Sequence, residues 1–186
     1  MKTSLITIIV TIATLSLGSQ DFRNTTWGMS PNEVKSNETS ELIEESSDLL
    51  VYLTTLAGYE VYAGYIFIDG KLTRGKYIVL EEYSNKNAYI SDYEFLNSLL
   101  RKKYGKPVEE EIYWITDNNS LNRDKSDWGH AIFKGDLILY STYKTSTTEI
   151  TITLGSEDFD IINEIEYSSM NDELRKMEEE KLLDGF

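Results

Sequence analysis

The dipeptide Asp69-Gly70 constrains this chain more than any other feature. It stands between two runs, Val61 to Ile68 and Lys71 to Leu80, in which β-branched and aromatic residues dominate. Asp-Gly favours the positive backbone angles of a two-residue hairpin, so the two runs read as antiparallel strands. Asp48 to Leu56 precedes them with Leu49, Val51 and Leu53 on one face. Together the three runs predict an antiparallel meander. A second meander follows further on. Glu110 to Thr116 reads as a short strand. Ala131 to Phe133 and Leu137 to Tyr143 flank Lys134-Gly135-Asp136 as a hairpin. Thr148 to Leu154 alternates with Ile150, Ile152 and Leu154 inward, and Ile161 to Tyr167 closes the series.

Helix signals punctuate the strands. Ser30-Pro31-Asn32-Glu33 carries a capping box with proline at the first helical position, flanked by Met29 and Val34 as a hydrophobic staple. It predicts a short helix from Pro31 to about Ser40. Ser91 and Glu94 repeat the box, with Ile90 and Phe95 as the staple. Leu96, Leu99, Leu100 and Tyr104 then fall at helical spacing, and Gly105 with Pro107 stops the run, giving a helix over 92–104. Two similar starts fit an internal duplication, and also the frequency of capping boxes. A charged helix over about 170–184 ends the chain, with Leu174, Met177 and Leu182 on one side and Asp172 four residues before Lys176. The fold class expected is α+β: a mostly antiparallel sheet of two meanders packed by two or three helices.

Residues 1–19 stand apart. Lys2 precedes an apolar stretch from Leu5 to Leu17, and Ser16 and Gly18 supply small residues for cleavage. That is the layout of a signal peptide, and the stretch is shorter than the roughly 20 residues of a membrane span. An uncleaved anchor is the alternative. The reading is therefore an exported protein, periplasmic or extracellular, with a single domain over 20–186 and no transmembrane segment once the leader is removed. The chain has no cysteine and one histidine, and its 18 basic residues face 32 acidic ones, for a net charge of -14. Thiol chemistry, disulfides and multi-histidine metal sites are thereby removed. Nucleic acid is not expected as a partner, because phosphates require basic patches. A cysteine-free exported domain fits a bacterial envelope.

Candidate chemistry is sparse. Phosphate-loop and nucleophile-elbow motifs are missing from the sequence. His130 is either a general base or a partly exposed residue at the start of a strand. Asp117 to Asp124 invites a calcium reading, but Leu121, Asn122 and Trp128 occupy the fifth, sixth and twelfth positions, where an EF-hand needs a ligand, glycine and glutamate. A polar loop fits better. Glu81-Glu82 and Glu109-Glu110-Glu111 supply carboxylates for a glycosidase-like pair, or solvated strand ends. No catalytic, binding or metal-ligating residue is nominated, and no cofactor is implied. Aromatic residues are the one excess. Tyr59, Tyr62, Tyr65 and Tyr77 line the first meander and Tyr113-Trp114 opens the second, either as sheet packing or as a contact face.

Three segments carry a resemblance. Phe22-Arg23, Trp27-Gly28, Ser30 and Glu33-Val34 resemble the opening of small exported bacterial proteins with an F-R-x-x-x-W-G-x-S-x-x-E-V start. Lys103 to Pro107 is similar to their K-Y-G-K-P helix stop, and Thr148 to Leu154 with Ile165 to Ser168 to their closing strands. The resemblance implies location and fold and assigns no catalytic residue. The helix-then-meander units also resemble the small lipoprotein of the outer-membrane assembly machinery and β-lactamase-inhibitor-protein-like envelope domains. Those bind other proteins, but this chain lacks the lipid-attachment cysteine of the one and the disulfides of the other. The function expected is non-enzymatic binding, with another envelope or extracellular protein as the partner. The alternatives are a secreted hydrolase using Asp and Glu, and a calcium-dependent surface module.

Overall fold

The structure, a computed structural model, describes residues 20–115 and 124–183. The leader read at 1–19 and most of the candidate calcium loop lie outside the described residues. The first helix, α1 (Pro31–Asn37), begins as the capping box requires. Ser30 Oγ accepts from the Glu33 amide, and Glu33 Oε2 accepts from the Ser30 amide at 2.8 Å. It ends at Asn37, short of Ser40. Strands β1 (Glu41–Glu45), β2 (Leu49–Leu56), β3 (Tyr59–Ile68) and β4 (Lys71–Val79) follow as consecutive antiparallel neighbours. Asp69 and Gly70 both take positive φ, 49° and 73°, as the hairpin reading requires. Strand β1 gave no signal, because its Glu-Leu-Ile-Glu-Glu sequence is exposed at every position.

In β2, it is Leu50 and Tyr52 that are buried, while Leu49, Val51 and Leu53 lie on the opposite face. Both faces of this strand are apolar, so alternation alone could not tell inside from outside. Tyr52 settles it by meeting Tyr65 edge-on at 5.7 Å within the interior.

Helix α2 (Asn87–Tyr104) starts a turn earlier than the sequence suggested. The extra turn buries Tyr89 and Ile90, and Ser91 sits inside the helix instead of capping it. Asn87 is held from outside: its Oδ1 accepts from the Gly129 amide at 2.8 Å and its Nδ2 donates to Ser126 O at 2.6 Å. Phe95, expected to staple the start, is exposed. Gly105 stops the helix with φ 87°, its N–H reaching Arg101 O.

After β5 (Glu109–Trp114), the residues read as the first arm of a hairpin form a helix instead, α3 (Trp128–Phe133). Gly129 packs so closely on the Lys86–Asn87 backbone that an added Cβ would overlap it, and Ile132 is fully buried. Lys134-Gly135-Asp136 closes this helix, with the Gly135 amide bonded to Ile132 O. Tertiary packing thus overrode a short β-branched run too brief to declare its period. Gly129→Ala is expected to cost about 2 kcal/mol by this overlap, seen as a lower urea midpoint with unchanged slope.

Strands β6 (Leu137–Lys144), β7 (Thr148–Glu157) and β8 (Asp160–Ser169) complete one eight-stranded antiparallel sheet, in the order β1-β2-β3-β4-β8-β7-β6-β5. The order is symmetric about the β4–β8 seam, which pairs Arg74 with Ser168 and Tyr77 with Ile165. Ile150, Ile152 and Leu154 point inward as read. Val34, Leu96 and Ile152 all share the interior, which forms one cluster on the face covered by α1, α2 and α3.

The last helix, α4 (Asp172–Leu183), is capped by Asn171, whose Oδ1 accepts from the amides of Glu173 and Leu174. It packs against β3 and β4 from the opposite side. Arg74 alternates with the inward-facing Gly75, so it lies on the outer face, and it pairs there with Glu178 at 3.0 Å. Lys71 pairs with Glu173. Leu174 is buried, Leu182 is exposed, and the partner of Lys176 is Glu180, not Asp172. No helix among the described residues is long and apolar enough to cross a membrane.

Candidate interaction surface

Strand alternation gives the sheet two unlike faces. The inner one is covered by helices. The outer one is roofed by α4 only near β3 and β4. Across β8, β7 and β6 it presents half-exposed side chains: Ile162, Glu164 and Glu166 on β8, Thr151 and Thr153 on β7, Ile138 and Tyr140 on β6. Lys76 of β4 stands at its centre. Its Nζ lies 3.1 Å from one carboxylate oxygen of Glu164 and one of Glu166. Burial would lower the Lys76 pKa, but the two glutamates outweigh it and raise it, so the ammonium stays charged. Beside this cluster is a shallow depression of about 440 Å³ bounded by Ile138, Thr153, Gly155 and Ile162.

The two edges of the sheet are acidic. Glu41, Glu44 and Glu45 lie on β1, and Glu109, Glu110 and Glu111 on β5, where Ile112 and Tyr113 are also exposed. Runs of like charge on an open edge oppose pairing between two copies.

The inner face holds a polar network that could be mistaken for catalytic machinery. Tyr93 Oη and Asn97 Nδ2 both meet Ser141 Oγ, at 3.1 and 3.0 Å, and the Tyr143 hydroxyl donates to Asn97 Oδ1. Ser141 is fully buried and its partners are a phenol and an amide, neither a base. The network fastens α2 to β6, a role in which each polar group is satisfied.

The sequence candidates scatter. His130 is on α3, not on a strand; it is exposed and stacked on Phe133 at 6.2 Å. Asp124 accepts from the Ser126 amide and hydroxyl, so it serves as a local cap. Among the described residues no group of three or more His, Cys, Asp and Glu is placed to hold a metal ion. Glu109 accepts from the Tyr140 hydroxyl and Glu110 pairs with Arg101. Glu81 and Glu82 line a cavity beside Asp160. Tyr65 and Tyr77 are interior, Tyr59 donates to Asp92, and Tyr62 and Tyr113 are exposed.

The carboxyl groups with a displaced pKa, Glu33, Glu38 and Asp124, all shift downward. For Glu33 and Asp124 the cause is hydrogen bonding, first from the backbone amides of Ser30 and Ser126. A general acid needs the reverse shift. The outer face itself left little trace in the sequence. Alternation marks a face as polar without saying that helices leave it open.

Comparison of the chain with protein-family models, with curated proteins and with solved structures found no match.

Proposed function

We propose that this protein is an exported, non-enzymatic binding domain whose partner, another envelope or extracellular protein, docks on the outer face of the sheet. The finer picture within that reading is two four-stranded meanders joined at the β4–β8 seam, with α1, α2 and α3 on the inner side and α4 over β3 and β4 alone on the outer side, so that the rest of the outer side is left for contact. One observation carries it: the outer face over β6, β7 and β8 has no covering element among the described residues. Its mix of isoleucine, tyrosine, threonine and a central cluster of charges is that of an interface. The acidic edges bias the choice of partner toward a protein with a basic rim. The leader at 1–19 supports export.

Thr153→Arg, in the middle of this face, is expected to reduce capture of the partner from an envelope extract about tenfold or more, with the circular dichroism spectrum unchanged. Phe95→Arg, on exposed helix surface, is expected to leave capture intact. Capture that survives Thr153→Arg and is lost with Phe95→Arg contradicts the assignment.

A further inference from the structure

At one end of the β4–β8 seam lies a cavity of about 610 Å³, the size of a small-ligand site. It sits between the segment joining β4 to α2 and the tip of the β7–β8 hairpin. Three aromatic rings line it, Tyr83, Tyr89 and Phe159, together with Glu81, Glu82 and Asp160. Tyr83 and Tyr89 meet edge-on at 5.0 Å. None of the three carboxylates has an ion-pair partner among the described residues.

The wall already holds a cation. The ammonium of Lys86 lies 5.1 Å from the centre of the Phe133 ring and 5.7 Å from that of Tyr89, and donates to Tyr83 O at 3.3 Å. Ring faces attract cations, and here they attract one from the protein's own chain.

The hairpin tip adds an independent sign. Asp158 and Phe159 both have positive φ, 49° and 69°. Two other turns in the molecule, Ala57-Gly58 and Asp69-Gly70, adopt the same pair of signs with glycine second. Only this one places a bulky residue there, at a cost in strain. Phe159 is nevertheless 64% exposed, its ring tilted on Phe133 at 5.6 Å over the cavity mouth. Folding alone gives no return for a strained, exposed phenylalanine.

On β8, Asn163 is only 2% exposed, and neither of its amide atoms has a hydrogen-bond partner among the described residues. It lies two residues from Ile161, on the same face of β8, and Ile161 lines the cavity. A polar group on a ligand would satisfy it.

We propose that this cavity binds a small organic cation, an alkylammonium group held by the faces of Tyr89 and Phe159 and balanced by Glu81, Glu82 and Asp160. Lys86 occupies the Tyr89 face until the ligand displaces it. This site is separate from the outer face and stands or falls independently of partner binding. A free alkylammonium ion and a lysine side chain of a peptide share the recognised chemistry.

Calorimetric titration of the full chain tests it with three probes: choline, N-acetyl-lysine methylamide, and the uncharged choline isostere 3,3-dimethylbutan-1-ol. At least one cation is expected to bind, about tenfold or more tighter than the neutral isostere, and the tighter cation identifies the source. Phe159→Gly is expected to weaken that binding about tenfold without lowering the melting temperature, because glycine relieves the turn. Lys86→Met is expected to tighten it, and Glu81→Gln with Glu82→Gln to weaken it. Equal binding of the neutral isostere, absence of binding by either cation in the millimolar range, or affinity unmoved by all these variants overturns the proposal.

Discussion

Phe22→Ala is expected to lower the free energy of unfolding by about 4 kcal/mol. Phe22 is 1% exposed although it lies in a short segment ahead of the first helix. Its ring centre stands 5.1 Å from that of Tyr65, 5.0 Å from Tyr77 and 5.2 Å from Tyr167, so one side chain bridges β3, β4 and β8 across the seam. The strand beneath makes room for it. At Gly75 an added Cβ would overlap the Phe22 ring. Gly75→Ala alone is therefore expected to cost about 3 kcal/mol. In the double variant the new methyl enters the space the ring has left, and the loss should be no greater than for Phe22→Ala alone. Urea unfolding of the four proteins in this cycle checks the coupling. Simple addition of the two losses would show that Phe22 and Gly75 do not share that space.

Glu38→Ala is expected to cost about 3 kcal/mol and to change how stability responds to acid. The Glu38 side chain is 1% exposed and is gripped by Arg23, which donates Nε to Oε2 at 2.7 Å and Nη2 to Oε1 at 3.1 Å. Tyr65 Oη donates to Oε2 at 2.6 Å, and the Ser40 amide donates to Oε1 at 3.0 Å. Burial alone would raise the pKa of this carboxyl. The hydrogen bonds from Arg23, Tyr65 and Ser40 prevail and hold it at about 2, against 4.5 for an ordinary glutamate. A depressed pKa binds the proton less tightly in the folded chain than in the unfolded one. The stabilisation is therefore complete above pH 4.5 and is lost as pH falls toward 2. Thermal melts of the wild type between these limits should show a decline that Glu38→Gln flattens. An equal decline in Glu38→Gln would place the acid sensitivity elsewhere.

Legibility in the sequence followed the distance over which a signal acts. The α1 capping box, the Asp69-Gly70 hairpin and the alternation of Ile150, Ile152 and Leu154 are decided within a few residues, and each could be read directly. The start of α2 depends on Asn87 meeting Ser126 and Gly129, some forty positions on, so the local box at Ser91 misled. The same contact made Ala131 to Phe133 helical. Strand β1 was silent because an exposed acidic edge has no apolar side to display. The β4–β8 seam joins strands far apart in the chain, and nothing in either run names the other.

The candidate surface and the cavity were illegible for a related reason. Lys76, Glu164 and Glu166 look like ordinary outward strand charges until the seam unites them. The tyrosines, read as one group, divide between the interior, where Tyr65 and Tyr77 pack, and the surface, where Tyr62 and Tyr113 lie. Tyr89 and Phe159 come together only when the hairpin tip of β7 and β8 closes over the first turn of α2.

The assignment of the outer face is tested most directly by site-specific photo-crosslinking in the native envelope. A photoreactive residue is placed in turn at Tyr140 and Ile78 on the outer face, and at Ser98 on the exposed side of α2. One discrete adduct, shared by Tyr140 and Ile78 and missing from Ser98, is the predicted result. An adduct confined to Ser98, or none from either outer-face position while Ser98 reacts, would contradict the account.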